Sequence, residues 1–239
     1  YMQQLKSPIP LSVETLVTQV VPRPGCAYDM LLESLNDIHH PAFLYGDQND
    51  DPRFERVVTI MTGLTLENRL YWVEHDDDAQ SLALVLHNPD ADERVVELLQ
   101  LLSLPASKAR TERIIIPTSM ALQGATDSSI GITTRSLWEL VEILTAAVQV
   151  PAVDEADGVA TTFPRLGRGG RDLTIGYSED RPDAAYLAVE YRDGWYSIDD
   201  RDYATKRYFK LLGSLWSAAI SQSLDDVSAS PVLTVPVSR

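Results

Sequence analysis

The chain has 239 residues, 44% hydrophobic and 23% charged, an ordinary globular composition long enough for one large domain or two small ones. Thirty-five acidic against 20 basic residues give a net charge of -15, which disfavours a bare nucleic-acid surface or an anionic bilayer as a partner. The single cysteine, Cys26, excludes an intramolecular disulfide framework and any multi-cysteine zinc site, and no apolar run approaches the about 18 residues of a membrane span.

No basic-then-apolar signal region opens the chain, and its first residue is Tyr1, so a piece of a longer protein is expected. Tyr1 to Pro10 reads as a proline-rich connector. Ser12 is placed to cap a short helix carrying Val13, Leu16, Val17, Val20 and Val21, ended by Pro22 and Pro24. Gly25 then leads into a second helix, with Met30, Leu31, Leu35 and Ile38 on one stripe, closing near His39-His40-Pro41. Asp50 to Thr62 forms a third helix whose apolar side is Phe54, Val57, Val58 and Met61.

Leu70 to Val73 and Leu82 to Leu86 are strand-length apolar runs around an acidic loop containing Asp76-Asp77-Asp78, and a hairpin is expected of them. Asp90 and Glu93 resemble a capping pair for a helix with Val95, Val96, Leu98, Leu99 and Leu102. Ile114 to Ile116 reads as a buried strand ended by Pro117, and Ile130 to Ile132 as another. Ser136 and Glu139 make a capping box for a helix striped with Leu137, Leu140, Val141, Leu144 and Val148. Between Val150 and Gly170 the composition turns to Pro, Gly, Asp and Thr, the signature of a linker or long loop.

The stretch from Arg171 to Ile220 is the most legible. Leu173 to Tyr177, Tyr186 to Arg192 and Trp195 to Asp200 alternate as strands of a meander. Asp193-Gly194 between the last two is a strong hairpin signal. A two-residue turn there pairs Arg192 with Trp195, Tyr191 with Tyr196 and Val189 with Ile198, and gathers Leu187, Val189, Tyr191, Tyr196 and Ile198 on one face. Ala204, Tyr208, Leu211, Leu212, Leu215 and Ala219 then recur at helical spacing, with Asp200 or Asp202 as N-cap, and the stripe is expected to close over the meander. Val232 to Val237 reads as a final strand. The expected fold is α+β: a helix-rich part with mixed strands over 1–149, a linker over 150–170, and a meander, long helix and strand over 171–239, the whole able to form one continuous domain.

No motif specifies a reaction. Gly167 to Arg171 lacks the ending of a phosphate loop and precedes a strand, so it reads as a flexible basic loop. His39 and His40 are adjacent and point apart, and His75 stands in an acidic turn. Asp199, Asp200 and Asp202 offer the oxygen ligands that Ca²⁺ or Mg²⁺ takes, without calcium-loop spacing. Cys26 follows a Pro-Gly joint at a helix start, a setting that lowers a thiol pKa, and no histidine is assigned to it. The aromatics around Trp195, Tyr196, Tyr203 and Trp216 are more than one small core needs, and Tyr and Trp are enriched where chains meet.

Gln4 to Leu11, Ala188 to Arg192, Trp195-Tyr196, Ile198 to Asp202, Thr205-Lys206, Phe209, Leu211-Leu212 and the ending Ser230 to Pro236 resemble the C-terminal half of a family of uncharacterised bacterial proteins, many with a lipoprotein-type signal. Asp193-Gly194 and Ser197 depart from a more aromatic turn in that pattern. The resemblance implies a cell-envelope protein on the periplasmic side, with a cytoplasmic location as the alternative, and supplies no catalytic residues. Two functional readings follow. The first is a non-catalytic structural or interaction domain without cofactor, binding a protein or itself, with Trp195, Tyr196, Tyr203 and Trp216 as contacts. The second is an enzyme or a small-ligand or metal-binding domain centred on residues 199–202.

Overall fold

A computed structural model describes residues 10–20, 24–40, 51–74, 82–87, 92–105, 107, 111–119, 128–162 and 173–228, with 221–228 as backbone only. The expectations for Asp76 to Asp78, His75, Asp90, Gly167 to Arg171 and the final strand Val232 to Val237 fall outside these residues. The fold is α+β, with two sheets among the described residues.

Ser12 Oγ accepts from the Thr15 N–H and opens α1, Val13–Val20. Helix α2, Pro24–Leu31, is half as long as its apolar stripe suggests. Leu32–Leu35 is strand β1 and Ile38–His39 strand β2, paired Leu35 to Ile38 across a turn at Asn36 and Asp37. Asn36 holds a positive φ of 52°, which Asn tolerates better than most residues. Its side chain donates to Leu102 O (2.7 Å) and accepts from Gly131 N (2.8 Å), so distant chain fixes this turn and overrides the helix.

Helix α3, Pro52–Leu66, starts at Asp51, whose carboxylate accepts from Arg53 N, and buries Phe54, Val57, Ile60, Met61 and Leu64. Strands β3, Leu70–Glu74, and β4, Leu82–His87, form the expected hairpin. Helix α4, Glu93–Leu101, starts at Asp92, whose carboxylate accepts from Arg94 N. The Asp92 carboxyl is held well below its usual range by Arg94 first, against burial, with Arg69 adding to the effect.

Strand β5, Arg113–Ser119, runs through Pro117, pairing antiparallel with β4 up to Ala83 opposite Pro117. Its parallel pairing with β6, Ile130–Thr134, begins at Thr118, past the residue that lacks an N–H. The larger sheet has the order β2-β1-β6-β5-β4-β3. One face carries the rows Leu70, Leu86, Ile114 and Trp72, Leu84, Ile116, which join α1 to α4 in a single core. Helix α5, Leu137–Ala146, has the full capping box between Ser136 and Glu139.

Within 150–170 the described residues hold a short helix, α6, Ala152–Ala156. The second sheet consists of β7, Gly176–Ser178, β8, Ala185–Tyr191, and β9, Gly194–Asp199, in the order β7-β9-β8. It is therefore not a meander, because the last strand takes the centre. The hairpin turns at Arg192 and Asp193, pairing Tyr191 with Gly194, Val189 with Tyr196 and Leu187 with Ile198. That register differs from the expected one by two residues, so the faces are unchanged. Arg192 takes the positive φ (55°), and Gly194 lies under the Tyr177 ring, where an added Cβ would meet the outer ring atoms.

The last helix, α7, Tyr203–Ser228, does not close over this sheet. Tyr208, Leu211, Leu212 and Leu215 join the main core against α5 and α2, and the Tyr208 hydroxyl donates to Leu140 O at 2.8 Å. Ala204, expected on the buried stripe, is exposed. No helix among the described residues is long and apolar enough to cross a membrane.

Candidate functional site

The acidic corner 199–202 is built of local bonds. Asp199 Oδ1 accepts from Arg201 N (2.6 Å), and Asp200 pairs with Lys206 Nζ (2.8 Å). Asp202 is the N-cap, accepting from Thr205 N (2.9 Å) and from the Thr205 hydroxyl (2.6 Å). Thr205 is fully buried and its Oγ1 also accepts from Thr174 N, tying the approach to β7 onto the helix start. No group of three His, Cys, Asp or Glu that could hold a metal ion occurs among the described residues. The corner is thus organised as a helix start. Thr205 enters the sequence reading only through the resemblance, since a lone Thr in a helix carries no structural signal without its partner 31 residues away.

The four aromatics are not brought together. Trp216 packs against the main core. Tyr203 is 71% exposed, with Lys206 Nζ 5.2 Å from its ring and 5.2 Å from that of Tyr186. Trp195 and Tyr196 are neighbours on β9 and so point to opposite faces of the small sheet. Trp195 is covered by the Arg181 guanidinium, 5.2 Å from the ring centre.

Tyr196 belongs to a continuous aromatic and apolar face. Tyr177, Tyr196 and Val189 lie in one cross-strand row, and Tyr191 stands beside Tyr196 with ring centres 6.3 Å apart. Tyr177 and Tyr196 are 5.4 Å apart, with the Tyr177 ring over Gly194. The face is buried at Ile198 (2%) and opens toward the hairpin tip, where Val189 is 53% and Tyr191 58% exposed. Burial, then the neighbouring Asp154 carboxylate, raises the Tyr196 hydroxyl above its usual pKa, so it stays protonated at neutral pH. Asp154 also meets Arg192 at 3.4 Å. Val189 and Tyr191 stand on this face as alternation predicts, and Tyr177 joins them because β7 pairs with β9.

A cavity of about 540 Å³ lies between α2, α3 and the start of α7. Asp29, Glu55, Thr59, Thr62 and Arg207 supply its polar wall. Behind it Asp29 meets the buried His40 (3.3 Å), whose ring packs on Phe54. Burial holds His40 below its ordinary pKa, the Asp29 hydrogen bond opposing. The fully enclosed Arg135 is lowered by burial, with Tyr208, Glu139, Glu33 and Asp29 acting against the shift; its guanidinium remains charged. The Cys26 thiol donates to Met30 Sδ at 3.3 Å, within α2. Comparison with known proteins gives no match to the chain from any family model, curated protein or solved structure.

Proposed function

We propose that this chain is a non-catalytic protein-interaction domain of a bacterial cell-envelope-associated protein, and that the aromatic face of the small sheet is its docking surface. The observation that carries the reading is that face: Val189 and Tyr191 are more than half exposed beside Tyr196 and Tyr177, on a sheet standing apart from the main core. Clustered exposed aromatics on a rigid sheet are costly to leave in water and are typical of surfaces covered by another chain. The envelope setting is supported by the resemblance carried by Ala188 to Arg192, Ile198 to Asp202 and the chain's two ends. A ligand site at residues 199–202 is less favoured, because Asp199, Asp200 and Asp202 already serve backbone N–H groups, Thr205 and Lys206.

Light scattering over a range of concentrations, with capture from envelope extracts, tests the proposal. Self-association or specific capture is expected of the native chain and is lost in the Val189→Asp, Tyr191→Asp double variant, whose melting temperature stays close to the parent. A strict monomer that captures nothing, or capture indifferent to the double variant, would overturn it. Recovery of the domain in the cytosol, not in the envelope fraction, would remove the envelope setting alone.

A further inference from the structure

We infer that the aromatic face of the small sheet takes a basic segment of another protein, with an arginine or lysine of that segment over the Tyr177 and Tyr196 rings. The inference rests on the docking surface proposed above and names what covers it. Charge at the open end of the face favours a cation. Strand β7 ends level with Trp195, so Glu179 and Asp180 follow at the hairpin tip, the end that also carries the turn residue Asp193. All three are exposed, and Glu179 and Asp193 make no ion pair among the described residues. The sheet's own basic residues between Gly176 and Asp199 are already engaged. Arg181 lies over Trp195 on the opposite face, and Arg192 lies 5.5 Å from the Tyr191 ring centre and meets Asp154.

The rings supply an independent observation. Elsewhere on this part of the molecule the chain covers exposed tyrosines with its own cations, as Lys206 Nζ does 5.2 Å from both Tyr186 and Tyr203. Tyr177 and Tyr196, tilted at 58° with ring centres 5.4 Å apart, have no cation over them among the described residues. A guanidinium stacks on an aromatic ring while its N–H groups reach carboxylates, so an arginine answers the ring pair and the acidic tip together. Val189 and Tyr191, more than half exposed, offer apolar contact to the residues between such cations. A second copy of this chain would bring the same carboxylates to the contact, where like charges oppose docking, and an acidic segment would do the same.

Fluorescence anisotropy on the full chain, with a labelled peptide of alternating arginine and valine as probe, tests the inference. Saturable binding is expected, and none of the counterpart with glutamate in place of arginine. Tyr177→Leu should weaken binding by about threefold or more while Tyr177→Phe, which keeps the ring, restores it. The Glu179→Gln, Asp193→Asn double variant should weaken it by about fivefold, and Glu112→Gln, at the entry to β5 of the large sheet, by less than about twofold. No saturable binding at about 1 mM peptide, binding indifferent to Tyr177→Leu, or equal loss in Glu112→Gln, the mark of general attraction to an acidic chain, would each overturn the inference. Self-association that the Val189→Asp, Tyr191→Asp double variant abolishes, without peptide binding, would also overturn it, by putting a second copy on the face, while the docking surface itself would stand.

Discussion

At the scale of single residues, Gly194 and His40 carry the sharpest consequences. Gly194 lies under the Tyr177 ring, so Gly194→Ala forces the ring to move and should cost about 1–3 kcal/mol in urea unfolding. In a Tyr177→Ala background the same change should cost less than about 1 kcal/mol, because the steric conflict is gone. Equal costs in both backgrounds would place the glycine's role in the backbone. His40 is neutral in the folded state because burial lowers its pKa from the ordinary 6.5. The unfolded chain therefore takes up the proton first, so the His40 contribution is complete above pH 6.5 and is lost as the pH falls through the folded value. Glu33, raised by burial, gives a slope of opposite sign in its own more acid window. The difference in urea midpoint between pH 7.5 and 5.5 should therefore be larger in the parent than in His40→Gln, which removes this titration while leaving Glu33 in place.

At the scale of elements, legibility follows how locally each element is determined. The Ser136–Glu139 box and the β3–β4 hairpin rest on neighbours in sequence, and both are plain from it. The segment Leu32 to Ile38 continues the helical spacing of Met30 and Leu31, yet it is a hairpin because Asn36 reaches Leu102 and Gly131. The small sheet is a similar case: its faces follow from alternation, while the central place of β9 depends on Tyr177 pairing with Tyr196 across an intervening strand. Thr205 joins two elements in the same unpredictable way, and Thr205→Val should cost about 1–2 kcal/mol by removing the partner of both Asp202 and Thr174. Asp202→Ala should cost about 1 kcal/mol, and the double variant less than the sum, since both changes break one cap. Full additivity in denaturation would mean the two residues act independently.

At the scale of the whole molecule, one large core unites the six-stranded sheet with α1 to α5 and α7, while the small sheet contributes little of its aromatic face to it. Leu173 and the bridge between Val148 and Ile175 join the small sheet's approach to that core. Crowding of aromatics in the sequence cannot tell Trp216, packed against the core, from Tyr191, more than half exposed. Helix α7 packs on α5 and α2 and meets the small sheet at Tyr186 of β8 through Lys206 and Lys210, while Val189 and Tyr191 stay exposed. The most direct test is photo-crosslinking in the cells that produce the protein, with a photoreactive phenylalanine analogue at position 191 and, as control, at Leu66, which is 69% exposed and lies at the end of α3. A discrete protein adduct at 191 that is absent at 66 is the expected result; adducts at neither position, or the same adducts at both, would contradict a docking surface on the small sheet.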